Sequence, residues 1–217
     1  MVIYGPYYPS YVTGNTATGI DWTDPENAQG VEGEDYAFCY FFSEGANSAP
    51  LCGSDFGMEI PENETILGIK VEVLKSADSS DFLDWANSGY GARLLRDHDD
   101  TGTRFGNDLG REGSYWPQDA FDWVSYGGEN DLWGTSDLTA ADLNSSLFGF
   151  EISAVTDPAG GTAMVKAFRI TIYLADPAVL FSVAQPASPI GGSFCGEVLP
   201  ASPHAGATGQ QRPAAPH

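Results

Sequence analysis

Positive charge is what this sequence has least of. Nine Lys and Arg stand against 30 Asp and Glu, giving a formal net charge of −21 over 217 residues. Such a surface repels phosphate backbones and anionic headgroups, so the expectation is no nucleic-acid and no membrane partner through the main body. Cations, basic partners and plain solubility remain compatible with it. Histidine is also scarce, with His98, His204 and His217 as the full set, so the usual supplier of a base poised near neutral pH is thin. The sequence has no Gly-x-Ser-x-Gly elbow, no His-Glu-x-x-His helix and no Walker loop, and its Gly-rich stretches end strands instead of opening helices. Among 30 acids, carboxylate pairs arise by chance and assign no hydrolase. The reading is of a protein that is not an enzyme and has no cofactor.

Cysteine is limited to Cys39, Cys52 and Cys195, at spacings that make no metal framework. Cys39 and Cys52 flank a turn-rich stretch, which leaves two readings: a disulfide across a hairpin, or two small buried apolar residues. The second is preferred. No run approaches the roughly 18 apolar residues that span a bilayer. Met1–Ser10 lacks the basic and apolar regions of a secretory signal, so the expected place of synthesis is a reducing cytoplasm.

What is plentiful is turn chemistry and aromatic residues: 26 Gly, 14 Pro and 12% Phe, Trp and Tyr. With little helical periodicity, this composition predicts many short strands. The clearest is Thr65–Leu74, where Ile69, Val71 and Val73 alternate with Gly68, Lys70 and Glu72. In Ala163–Tyr173, Phe168, Ile170 and Ile172 alternate with Arg169, Thr171 and Tyr173. Tyr36–Phe42, Gly91–Arg96, Phe121–Tyr126 and Leu147–Ala154 read as further strands. One helical turn is expected at Ala140–Asn144, capped by Asp137 or Thr139. A weak echo relates Ser54–Ile60 and the strand after it to Ser146–Ile152 and the strand after that, as if two similar hairpins stacked face to face. The fold class is all-β: an antiparallel, jelly-roll-like β-sandwich with extended N- and C-terminal arms.

Three segments follow. Residues 1–20 hold Tyr4, Tyr7, Tyr8 and Tyr11 with Pro6 and Pro9 and read as an extended arm. Residues 21–176 are the sandwich. Residues 177–217 hold half of the prolines, and positions 178–217 carry only Glu197 and Arg212 as charges, a composition that makes no core of its own. Val179, Leu180, Phe181, Ile190 and Phe194 are awkward in a free tail. Together with Tyr4, Tyr7 and Tyr8 they are the expected assembly contacts.

Two constellations carry possible chemistry. Asp97, Asp99 and Asp108, with Thr101 and Gly102, sit at positions 1, 3, 12, 5 and 6 of a Ca²⁺ loop. A threonine at position 5, the short reach of Asp108 and strand-like flanks favour a plain hairpin turn instead. The cluster Glu32–Asp35 after Asp24–Glu26 reads likewise. Trp116, Trp123 and Trp133 are either a sugar-stacking groove or, in the preferred reading, core and contact residues.

The order of motifs resembles a family. It runs through Asp21–Ala28, Asp35–Ala37, Phe56-Gly57, Ile60-Pro61, Thr65–Val73, Ala92–Leu95, Trp116-Pro117, Trp123–Gly128, Leu132–Gly134, Leu138–Asp142 and Phe148-Gly149. Over about residues 20–176 this resembles a β-sandwich domain of tailed-bacteriophage structural proteins, with a longer and more acidic loop at Asp97–Asp108 than that family has. The resemblance implies a virion component, assembled in the host cytoplasm: a capsid decoration (cement) protein or, alternatively, a head-spike or tail-fibre module binding host-surface glycans. The two arms favour decoration, with the major capsid protein or another virion protein as partner and a homo-oligomer, a trimer by expectation, as the assembly.

Overall fold

The computed structural model describes residues 1–14, 19–31, 33–79, 82–85, 91–98, 103–111, 114–156 and 160–177. All lie within one compact unit, Met1–Val183. Its strands are β1 (Val2–Tyr7), β2 (Tyr11–Gly14), β3 (Ala37–Phe41), β4 (Leu51–Ser54), β5 (Ile66–Ala77), β6 (Phe82–Asp84), β7 (Ala92–Asp97), β8 (Thr103–Phe105), β9 (Asp122–Gly127), β10 (Gly149–Ile152), β11 (Ala154–Thr156) and β12 (Gly161–Leu174). The expected helical turn is α1 (Ala140–Leu143). Thr139 caps it: its side chain accepts from the Asp142 N–H while the Asp142 carboxylate accepts from the Thr139 N–H, a reciprocal pairing that satisfies two otherwise orphaned donors.

The strands form an antiparallel β-sandwich. One sheet runs β1–β12–β5–β9, with β3 sharing the β1 edge of β12. The other runs β2–β4–β10–β7–β8, and β6 and β11 make a separate ribbon. Alternation explains the core. Val73, Val71 and Ile69 of β5 pair with Phe168, Ile170 and Ile172 of β12, and all six are fully buried. Across the sandwich, the Phe150 ring lies 5.8 Å from Tyr126, 5.9 Å from Phe168 and 6.0 Å from Trp133 between centroids, in the tilted and edge-to-face arrangements aromatic quadrupoles prefer. At Gly53 of β4 a Cβ would lie 3.1 Å from the Phe168 ring, so glycine there lets the sheets close.

Two expectations need correction. Residues 2–7 and 11–14 are strands, not a free arm. β1 pairs with β12 through Val2–Leu174, Ile3–Tyr173, Tyr4–Ile172 and Tyr7–Ile170, and β2 pairs with β4. Gly5-Pro6 sits in the irregularity between Tyr4 and Tyr7, at a sheet edge, where a residue without an N–H is tolerated. Tyr4 and Tyr7 pack on the core and Tyr8 is exposed. The internal echo also fails in its first half. Asp55 and Gly57 have left-handed backbones (φ 54° and 59°) and end the strand at Ser54, whereas Gly149 begins β10. The two long strands of the echo lie side by side in one sheet and not face to face. Of the expected C-terminal arm only Pro177 is described; Val179, Leu180, Phe181, Ile190 and Phe194 lie outside the described residues.

Candidate functional site

In β3 the inward positions are Ala37, Cys39 and Phe41, all fully buried. The alternate positions, which the strand period turns to the outer face, are Tyr36, Phe38, Tyr40 and Phe42. A sheet face turned to water ordinarily carries polar residues; this stretch carries four aromatics in a row. Tyr40 is 47% and Phe42 79% exposed, and their rings stack edge to face at 4.6 Å. Tyr36 meets Phe38 at 6.3 Å and Phe121, just before β9, at 5.5 Å. The Lys166 ammonium lies 5.8 Å from the centre of the Phe121 ring.

The stripe continues into a charged patch on the same face. Arg169 of β12 is paired with Glu72 of β5, which is paired with Ser125 of β9. The Arg169 guanidinium covers the Trp123 ring at 3.9 Å and donates to Glu72 at 2.8 Å, while Lys70 reaches the same carboxylate at 3.2 Å. Three of the nine basic residues thus gather on a face of a strongly acidic chain. Burial works to raise the Glu72 pKa, but the hydrogen bonds and charges of Arg169 and Lys70 outweigh it and hold the carboxyl below its ordinary value. The stability from this group is therefore present above the unfolded carboxylate value of about 4.3 and is lost as pH falls through the lower folded value. The thermal midpoint of Glu72→Gln should fall below that of wild type at neutral pH, and the gap should close on acidification below roughly pH 4; a gap constant with pH would contradict this account.

The sites expected from sequence fare differently. Trp133 and Trp116 are 0% and 2% exposed, so they belong to the core. Trp123 faces outward beneath Arg169, and the three make no common groove. Asp108 accepts from the backbone N–H groups of Gly91, Ala92 and Gly110 and lies 3.6 Å from Arg93. Its carboxylate thus ties the starts of β7 and of the segment after β8 together. Asp97 pairs with Thr103 across the β7–β8 hairpin, and Asp99 lies outside the described residues. Among the described residues no three His, Cys, Asp or Glu side chains gather to hold a metal. Glu34 and Asp35 are exposed. Cys39 and Cys52 are free buried thiols on different sheets. Burial, and behind it Asp21, pushes the Cys39 thiol up to about 12.

Two further polar networks are structural in character. On the outer face of the second sheet, Arg104 forks onto both oxygens of Glu151, and Cys52 donates to the same carboxylate at 3.9 Å. Inside the sandwich, Lys75, Asp84, Tyr126 and Trp116 form a closed cluster. A cleft of about 380 Å³ beside α1 is lined by Glu62, Glu64, Thr65, Thr135, Ser136 and Thr139, with leucine and isoleucine below. Of its hydroxyls, Thr139 donates to the Asp142 carboxylate at 2.7 Å within the α1 cap, and Thr135 donates to the Leu132 carbonyl.

The sequence signal for the aromatic stripe was present in Tyr36-Ala-Phe-Cys-Tyr-Phe-Phe42: an aromatic at every second place, with Ala37, Cys39 and Phe41 between. Read only as a strand, it hides which face is which. No protein-family model and no curated protein matches the chain. Among solved structures, the CBM22-1 xylan-binding domain from Paenibacillus barcinonensis Xyn10C is similar, with a TM-score of 0.38 and 11% identity over 81% of this chain and 97% of that one. The likeness concerns the β-sandwich fold.

Proposed function

We propose that this chain is a non-catalytic virion structural protein of the capsid-decoration (cement) kind, which docks on a repeating protein surface through the outer face of its first sheet. The observation that carries this reading is the aromatic stripe of half-buried Tyr36 and Phe38 and exposed Tyr40 and Phe42. Contiguous exposed apolar surface marks interaction sites, and aromatics are enriched at the anchoring centres of protein interfaces. The neighbouring Lys70, Lys166 and Arg169 lower the repulsion that an acidic body meets on approaching another protein. Residues 177–217, poor in charge and rich in proline and apolar residues, supply a second contact to neighbouring subunits. A ligand that binds only the assembled shell stabilises it by RT ln(1 + [L]/Kd) at every site.

Glycan binding, as in a spike or fibre adhesin, fits the stripe less well. Its rings stand 71° and 73° to their neighbours, so they cover one another's faces and offer no flat platform for a sugar ring.

The test is co-sedimentation of the purified protein with particles of the virus that encodes it. Tyr40→Glu with Phe42→Glu should keep the thermal midpoint of wild type, since both side chains are exposed. It should weaken particle binding by at least about tenfold, because interface aromatics typically contribute 2 kcal/mol or more. Deleting residues 178–217 should leave a folded sandwich with reduced binding. Unchanged binding by both variants, or saturable binding on a glycan array that the aromatic changes abolish, would overturn the decoration reading.

A further inference from the structure

Lys75 of β5 and Asp84 of β6 are secluded from water, their side chains 2% and 1% exposed, and Lys75 Nζ lies 2.5 Å from Asp84 Oδ1. Aromatic rings close over them: Nζ is 4.3 Å from the centre of the Trp116 ring and 5.3 Å from that of Tyr126. The Tyr126 hydroxyl touches both partners, accepting from Nζ at 2.6 Å and donating to the carboxylate, 2.9 Å from Oδ2 and 3.1 Å from Oδ1. Each carboxyl oxygen has an N–H donor of its own, Trp116 Nε1 on Oδ1 at 2.9 Å and the Arg111 backbone N–H on Oδ2 at 3.0 Å. Arg111's guanidinium lies 5.7 Å from the centre of the Tyr126 ring.

We propose that this pair condenses into an intramolecular amide, Lys75 Nζ bonding to Asp84 Cγ with release of one water molecule. Condensation begins with one proton passed from Nζ to the carboxylate across their 2.5 Å contact, a step assisted by burial, which disfavours the charged amine. Burial depresses the Lys75 pKa, in the direction this step requires. The amine nitrogen then attacks Cγ. The charge that develops on the carboxyl oxygens falls on the donors of Trp116 and Arg111, which are in place before the reaction. One C–O bond breaks, and the departing hydroxyl takes a proton from the nitrogen through the Tyr126 hydroxyl, which touches both. Nothing is oxidised or reduced, and no co-reactant is needed. In dilute water such a condensation runs backwards. Here the two groups are held in contact, an arrangement equivalent to effective concentrations of about 10⁵ M or more, and bulk water is kept out. The product ties β6, and with it the β6–β11 ribbon, covalently to the first sheet.

Intact-mass measurement of the denatured full chain decides the matter. The expected mass is one water below that of the sequence, and proteolytic fragments should include a peptide branched between Lys75 and Asp84. Lys75→Arg and Asp84→Ala should each return the full sequence mass. Should either variant fail to fold, the wild-type measurement still stands alone. Full sequence mass for the wild-type chain, or a lost water mapped to any other residue, overturns the proposal. This outcome is independent of particle binding, which rests on a different face.

Discussion

Replacing Asp84 by alanine should destabilise the protein by at least about 3–5 kcal/mol, the range measured when one partner of a buried ion pair is removed; the variant also lacks the proposed amide. Four groups lose their acceptor at once: the Lys75 ammonium, the Tyr126 hydroxyl, Trp116 Nε1 and the Arg111 backbone N–H. Lys75, Trp116 and Tyr126 cannot turn to water in place, each being at most 2% exposed. Buried ion pairs can often be exchanged for apolar residues at little cost, but this one cannot. Changing both Lys75 and Asp84 to leucine still strands the tyrosine hydroxyl and the Trp116 indole N–H, each worth about 1–3 kcal/mol when unsatisfied. The double variant should therefore remain clearly less stable than wild type. Equilibrium urea unfolding measures both, and a loss below about 1 kcal/mol for Asp84→Ala would show that water reaches the cluster.

Trp133→Ala should be of similar severity, about 3–5 kcal/mol. Trp133 is fully buried and packs against Phe150. Its Nε1 donates to the Ile69 carbonyl at 3.0 Å, but that carbonyl also accepts from the Gly128 N–H. Removing the indole therefore does not orphan the oxygen, and the loss is mainly that of a large cavity. Gly127 is built around this side chain: a Cβ there would lie 2.5 Å from Trp133 Nε1. Trp133 also has φ 59°, a left-handed backbone unfavourable for any residue but glycine. Trp133→Gly relieves that strain while leaving an even larger hole, so it should fall within roughly 1 kcal/mol of the alanine variant. For a domain of this size each kcal/mol lowers the melting temperature by about 2–4 °C, which calorimetry resolves easily.

The long strands were legible because one face of each is buried and the period of two is visible in the residues themselves. All but Thr65 of Thr65–Leu74 falls inside β5 and all of Ala163–Tyr173 inside β12, and the cap is Thr139, one of the two the sequence offered. The first strands were not legible. Tyr and Pro at positions 4–9 suit an extended chain equally well whether or not a neighbour accepts its hydrogen bonds, and only β12 decides that. Lys75 carried a readable warning. Ile69, Val71 and Val73 fix the inward parity of β5, and 75 has the same parity. A lysine aimed at a core requires an acid to meet it, but which of 30 acids answers depends on the fold. The aromatic stripe lay open in positions 36–42, and its meaning waited on knowing that Ala37, Cys39 and Phe41 point inward.

The register of β12 sets where things can be attached. Its early part, Gly161–Val165, runs beside β3 and the stripe; its last residue, Leu174, pairs with Val2, and the Met1 amine lies 3.8 Å from Asp176. At about 3.3 Å per residue, the strand carries residues 1 and 176 roughly 35–40 Å from the level of Phe38, which pairs with Met164. A tag, fluorophore or fused domain at Met1 would thus stand well clear of a surface gripped by Phe38 and Phe42, so the protein can be labelled at that pole without masking the face by which it is proposed to hold on.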